Sequence, residues 1–214
     1  MTDVTCAECG ASFTPRAELL ERYPGWKPRT CPPCYRAAKG GSSGPRGGGR
    51  KRASSPAQLT TDQALALPAS GPATGLFTDG GCVPNPGPGG WGAVYVVDGD
   101  IVDETHGHDT STTNNRMELT ALLRGIELVP AGTPCTVFTD SNLAVRTITE
   151  WAQGWERRGW KRKTGPVENV DLVRPLYEAV RARPELELQW IRAHVGYRWN
   201  EYADALADRW QHER

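Results

Sequence analysis

Residues 39–52 are built from Gly, Ser, Pro, Lys and Arg alone. Such a stretch has nothing to bury and no apolar period, so it neither joins a core nor forms a regular element. It forces the 214-residue chain to fold in two parts. The part ahead of it is too short to bury much core. The roughly 140 residues behind it can bury enough surface to fold alone. The expected organisation is a small module over residues 1–37, a flexible basic linker over 38–73, and a larger domain over 74–214. Within the linker, Thr61 to Leu67 is expected to form only a transient helix before Pro68 ends it.

Charge follows the same division. Residues 1–73 hold 10 Lys/Arg against 5 Asp/Glu, and residues 74–214 hold 15 against 20, so a formal net charge of zero conceals a basic half and an acidic half. The basic half suits an anionic partner; an acidic excess suits a metal site. The longest apolar run, Ala93 to Val97, falls far below a bilayer span. No basic segment followed by an apolar one opens the chain, so a secretory signal is not expected and a cytoplasmic location is.

Four of the six cysteines form two CxxC pairs, Cys6 with Cys9 and Cys31 with Cys34. Each tight turn presents two thiolates, and together they make the four ligands of a tetrahedral zinc site. A segment this short would draw its folding free energy from the metal, as a zinc-ribbon-like module does. The same cysteines also allow two disulfides or a CxxC redox pair. Arg16, Arg22, Lys27, Arg29 and Arg36 interleave with Phe13, Tyr23, Trp26 and Tyr35, a mixture suited to nucleic acid. A protein partner, or aromatics that merely form the module's own core, fit as well. Cys82 and Cys135 read as ordinary buried thiols.

The larger domain alternates strands with helices. Thr74 to Asp79 reads as a buried strand, broken at the turn-rich Pro84 to Gly90. Trp91 to Val97 and Ile101 to His106 form a hairpin around Asp98, Gly99 and Asp100. Apolar residues at 119, 122, 123, 126 and 129 give Asn115 to Val129 a helical stripe. Thr136 to Thr139 is a strand feeding a helix capped by Ser141. Val170 to Arg183 is helical, Glu187 to Ile191 a strand, and Trp199 to Gln211 a last helix. The pattern predicts an α/β domain with a mixed five-stranded sheet covered by helices.

Against this frame stand Asp79 in Phe77-Thr78-Asp79-Gly80-Gly81, Glu118 in Asn114-Asn115-Arg116-Met117-Glu118, Asp140 in Phe138-Thr139-Asp140-Ser141, and Asp204 in Asn200-Glu201-Tyr202-Ala203-Asp204. His194 lies in Arg192-Ala193-His194-Val195-Gly196. Converging carboxylates make an oxygen cage for hard divalent cations, the setting of two-metal phosphodiester chemistry. The order Asp, Glu, Asp, His, Asp with these flanks, together with Asn85 to Gly90, Trp151, Trp155 and Trp160, resembles the ribonuclease H family, specifically its bacterial type I members. The resemblance covers Gly75 to Trp210.

That resemblance implies the ribonuclease H-like fold and hydrolysis of the RNA strand of RNA–DNA hybrids by an endonuclease, leaving 5′-phosphate and 3′-hydroxyl ends. It implies that Asp79 bridges two Mg²⁺ ions, that Asp140 and Asp204 each complete one site, and that Glu118 supports the other. Mn²⁺ is expected to substitute for Mg²⁺. His194 would shuttle a proton or help clear the cleaved phosphate. Asn85, Asn114 and Asn142 would read the 2′-hydroxyl side of the minor groove. The DNA strand would pass Trp151 and Trp160, with Trp155 the least certain contact, near Arg157, Arg158, Lys161, Arg162 and Lys163. A monomer is expected. Two other classes remain open: a different nuclease or transposase-like enzyme sharing the fold, and a binding module without catalysis.

Overall fold

Strand β3 (Gly75–Cys82) is the centre of the sheet, because its alternate residues are apolar on both faces. The computed structural model describes residues 4–14, 31, 34 and 59–211, in two units, Met1–Ala53 and Ser54–Arg214. Preceding β3 in the larger unit is a short helix, α1 (Thr61–Leu65). Strand β4 (Gly87–Val97) pairs antiparallel with β3, and β5 (Asp100–Thr112) pairs antiparallel with β4. Asp98 and Gly99 join β4 to β5 with φ of 52° and 89°, the sign that two-residue hairpin turns favour. On the other side, β6 (Cys135–Thr139) and then β9 (Leu186–Trp190) join in parallel, giving the order β5-β4-β3-β6-β9. This is the mixed five-stranded sheet the pattern predicts.

The strand period of two sorts the core into two layers. Leu76, Tyr95 and Val137 face helices α2 (Asn114–Gly125) and α5 (Val170–Ala182), burying Leu119, Leu122, Val173 and Leu176. Phe77, Val94, Val96 and Phe138 face helix α6 (Arg198–Asp208), burying Trp199, Tyr202 and Leu206. Between β6 and α5 lie α3 (Asn142–Arg146), a π-helical turn (Thr147–Trp151), α4 (Ala152–Glu156), and a small ladder of β7 (Lys161–Arg162) with β8 (Gly165–Pro166).

Two sequence expectations need correction. The glycines after Pro86 are not all loop: β4 begins at Gly87 and takes in Gly89, Gly90 and Gly92. A Cβ at Gly90 would sit 2.1 Å from the Ala207 carbonyl oxygen, and one at Gly92 would sit 2.5 Å from Leu206 Cβ. These glycines let α6 lie directly on the strand. The second correction concerns residues 59–73, expected as linker. They carry α1, capped by a reciprocal Thr60–Gln63 box, and its Ala64 is fully buried beside Phe77 and Trp199. Residues 38–58 of the expected linker lie outside the described residues.

In the smaller unit, β1 (Val4–Thr5) pairs antiparallel with β2 (Ser12–Phe13). A turn between them is closed by Gly10 N–H on the Cys6 carbonyl (3.0 Å) and by Cys6 N–H on that of Ala11 (2.9 Å). Arg16, Arg22, Tyr23, Trp26, Lys27, Arg29, Tyr35 and Arg36 lie outside the described residues.

Candidate active site

Thr78 on β3 and Thr139 on β6 are register partners, so Asp79 and Asp140 come next on adjacent parallel strands. Glu118 is brought to them by a close approach of backbone. A Cβ at Gly80 would lie 2.4 Å from the Met117 carbonyl carbon and 2.7 Å from the Glu118 nitrogen. Only glycine allows α2 to pass there. Asp204 comes from α6, which Gly90 and Gly92 admit against β4. His194 lies between β9 and α6 at a φ of 50°, a left-handed conformation uncommon without glycine. The five side chains, with Asn114, line one cavity of about 250 Å³.

The carboxylates are positioned by specific partners. Gly80 N–H donates to Asp79 Oδ1 at 2.6 Å. Ser141 Oγ accepts from Ala144 N–H at 3.2 Å, capping α3, and donates a short hydrogen bond to Glu118 Oε2. The Asp140 carbonyl accepts from Trp190 Nε1 (2.9 Å) and from Asn142 N–H (3.1 Å), fixing the strand end. His194 Nδ1 lies 3.8 Å from Glu201 Oε2. Ligand-capable atoms of His194, Glu201 and Asp204 fall within 4.8 Å of one another.

Negative charge is crowded here. Burial pushes the Asp79 carboxyl well above its ordinary value, and the charges of Asp140 and Asp204 push the same way. Glu118 is raised first by burial and then by Asp140, against the Ser141 hydrogen bond. Burial also raises Asp140 and Asp204, while His194 lowers both. Such a set is unstable fully ionised, and a divalent cation removes the conflict. Oxygen donors of this kind fit Mg²⁺ or Mn²⁺.

The expected substrate contacts are dispersed. Asn85 Oδ1 accepts from Asn114 N–H (3.4 Å), and Asn114 Oδ1 accepts from Cys82 N–H (2.8 Å), which joins both to the cavity rim. Asn142 is exposed at the start of α3. Trp151 and Trp155 line a second cavity of about 100 Å³ with Asn115 and Arg162. Trp155 and Trp160 both pack on the core, and the Trp160 ring stands edge-on to Tyr177 at 5.9 Å. Trp155 shares the hollow with Trp151, and Trp160 does not line it. Arg162 is held by Glu168 at 2.8 Å, while Arg157, Arg158, Lys161 and Lys163 are exposed.

Sequence reasoning missed two members. Glu201 is 9% exposed and lies on α6 one turn before Asp204, so the i, i+3 spacing on one helix was the available signal. Ser141 reads as a cap from sequence, and its second bond to Glu118 becomes evident only when α2 and β6 are packed together.

A second cluster lies in the smaller unit. The sulfurs of Cys6, Cys9, Cys31 and Cys34 all fall within 4.8 Å of one another, and all four cysteines are free. Cys9 and Cys31 sulfurs are 3.6 Å apart. Tetrahedral Zn²⁺ with Zn–S bonds near 2.3 Å places sulfurs about 3.8 Å apart, so the set fits that ion. The Cys31 N–H donates to Cys6 Sγ at 3.2 Å and is the main cause pulling that thiol down to about 6. Cys34 is pushed up to about 12, first by thiol hydrogen bonds with Cys9 and Cys31 and then by burial.

Comparison with known proteins agrees with this geometry. The RNase H family profile matches residues 72–211. The chain is 46% identical over 132 residues to a ribonuclease H of Methylorubrum extorquens, covering 62% of this chain and 57% of that protein. It is 48% identical over 135 residues to one of Pseudomonas savastanoi, covering 63% and 89%. In three dimensions it resembles the crystal structure of LC9-RNase H1, a type 1 RNase H with the type 2 active-site motif, at 33% identity and a TM-score of 0.53, covering 64% of this chain and 72% of that one.

Proposed function

Since the chain belongs to the ribonuclease H family, we propose that it is a metal-dependent endoribonuclease that hydrolyses the RNA strand of RNA–DNA hybrids. The observation that carries this reading is the convergence of Asp79, Glu118, Asp140, Asp204 and His194 on one open cavity. Asp79 would hold two Mg²⁺ ions, Asp140 and Asp204 would each complete one site, and Glu118 would support the other. When bound, the two ions supply an activated water and charge stabilisation for the leaving oxygen. Water oxygen bonds to phosphorus as the bond to the 3′ oxygen breaks, leaving a 5′-phosphate and a 3′-hydroxyl. Ser141 holds the Glu118 carboxylate in one orientation through its hydroxyl. His194, exposed at the cavity edge with Glu201 behind it, would take or give a proton. Asn85 and Asn114 on the rim would meet a 2′-hydroxyl, the group that separates RNA from DNA. Trp151 and Trp155 offer flat surfaces for the other strand.

The four-cysteine cluster is read as a structural zinc site whose module assists binding of the anionic substrate. The basic composition of residues 1–73 supports this, and joining module and catalytic domain in one chain would make the second contact effectively intramolecular. No helix among the described residues is long and apolar enough to cross a membrane.

The deciding assay compares cleavage of matched RNA–DNA, RNA–RNA and DNA–DNA duplexes with and without Mg²⁺. Cleavage of the RNA strand of the hybrid alone, only with the metal, is expected. Equal cleavage of the DNA duplex would assign the site to another nuclease class. For the module, Cys31→Ser with Cys34→Ser is expected to release zinc. It should also make the salt dependence of long-hybrid binding shallower. Unchanged affinity and slope would assign the module to a protein partner or to no ligand.

A further inference from the structure

The loop that carries His194 is held from outside by chain that precedes the matched residues 72–211. Ala64 of α1, fully buried, anchors this segment beside Trp199 and Tyr202 of α6. The chain then runs along the loop. The Leu67 carbonyl accepts from the Arg198 guanidinium, with Nε at 2.9 Å. The Ser70 carbonyl accepts from Arg198 N–H at 3.3 Å. That N–H is an orphan donor of the first turn of α6, and the N-cap residue Tyr197 provides no side-chain hydrogen bond. Ser70 Oγ donates a short hydrogen bond to the Gly196 carbonyl. Gly71, at a φ of 78°, lies flat on the Tyr197 ring, where a Cβ would come within 2.8 Å of Cγ.

From inside, Glu201 Oε1 accepts from Gly196 N–H at 3.4 Å, and Oε2 faces His194 Nδ1. Gly196 is therefore gripped at its N–H by the helix and at its carbonyl by Ser70. His194, two residues away, holds a left-handed backbone that persists only where the surroundings over-determine it. His194 itself is 65% exposed at its side chain, so packing around the imidazole cannot supply that constraint.

We propose that residues 67–71 form a strap whose function is to position His194 for the hydrolysis described above, a proposal that rests on that reading. Leu67, Ser70 and Gly71 are positioning residues: none lines the catalytic cavity, and they act on loop 194–198 through the backbone of Gly196 and Arg198 (Ser70), the Arg198 guanidinium (Leu67) and the Tyr197 ring (Gly71). A proton-shuttling imidazole on an exposed loop contributes only while its ring stays oriented, so loosening the loop lowers turnover and leaves substrate affinity intact.

The test uses the full-length chain carrying Ser70→Ala, Ser70→Thr or Gly71→Val, each made in the parent and in a His194→Ala background. Steady-state kcat and KM are measured on a short hybrid at saturating Mg²⁺, with amide hydrogen exchange at Gly196 and Arg198. Loss of one hydrogen bond is expected to lower kcat about fivefold in Ser70→Ala, with KM within about twofold. Ser70→Thr, which keeps the hydroxyl, should retain the parental kcat. Exchange at both amides should quicken in Ser70→Ala while the β3 amides are unchanged. In the His194→Ala background the strap variants should cause no further loss. Gly71→Val adds strain and is expected to show the same pattern more strongly. If it fails to fold, Ser70→Ala carries the test alone. A parental kcat in Ser70→Ala overturns the proposal, and so does an equal loss in both backgrounds, which would make the strap a support for α6 only. Failure of the underlying function shows differently, as absence of hybrid cleavage in the parent chain.

Discussion

Asp79 is buried and meets the charges of two other carboxylates, Asp140 and Asp204. Replacing it with asparagine removes charge repulsion and a metal ligand together. Asp79→Asn is therefore expected to lose cleavage to background while hybrid binding persists, and to melt higher than the parent in EDTA. Parental turnover in the folded variant at saturating Mg²⁺ would remove Asp79 from the proposed role. Ser141→Ala tests the support beneath Glu118. Loss of the cap should cost about 1 kcal/mol, read as a lower melting temperature. A severalfold fall in kcat should accompany it, since the Glu118 carboxylate loses its tether. The carboxylates were legible in sequence because each stands in a distinctive local string. Glu201 and the second bond of Ser141 were not, because both depend on which helix lies beside which loop.

At the scale of elements, boundaries differ from expectation wherever a residue type has two physical uses. Glycine in β4 serves close packing against α6, although a run of Gly and Pro most simply signals a turn. Helix α1 was undervalued because five residues have little helical stability in isolation, and its stability comes from burying Ala64 and from the Thr60–Gln63 box. This sets an expectation for truncation. A chain beginning at residue 74 strips cover from Trp199 and Tyr202 and removes the strap, whereas one beginning at residue 54 retains both. The shorter chain is expected to lose roughly 2 kcal/mol, or about 4–8 °C of melting temperature, relative to the longer. Paired thermal melts decide it, and equal midpoints would return residues 59–73 to the status of linker. The mixed five-stranded sheet, by contrast, was legible, because the apolar runs of β3 and β6 suit strands covered on both faces.

Across the whole molecule, the acidic site makes stability depend on pH and metal in a definite direction. A carboxylate whose folded pKa is raised binds its proton more tightly in the folded state. In the metal-free protein the contribution of these groups is most favourable below the ordinary value of 3.8, and it is lost as pH rises through the window up to the raised values of Asp79, Asp140 and Asp204. Asp171 and Glu185 are lowered by Arg116 and by backbone and Arg183 contacts, so their contribution is already complete above their ordinary values and adds no slope there. Melting temperature in EDTA should fall as pH rises above the ordinary carboxylate range. Mg²⁺ at about a hundred times its Kd should restore roughly 2.7 kcal/mol, some 5–10 °C. A flat profile in EDTA would show that the four carboxylates are not in conflict. The sheet order has a consequence in time. Asp79 lies on the central strand, yet its partners arrive on α2, after β6 and on α6, so closing the cage requires the longest loops of the chain to be spanned. A refolding chain should regain helix and hairpin signals early and remain catalytically silent until α6 docks. Nuclease activity would then report completion of the fold, and no half-folded form would be armed to cut a hybrid.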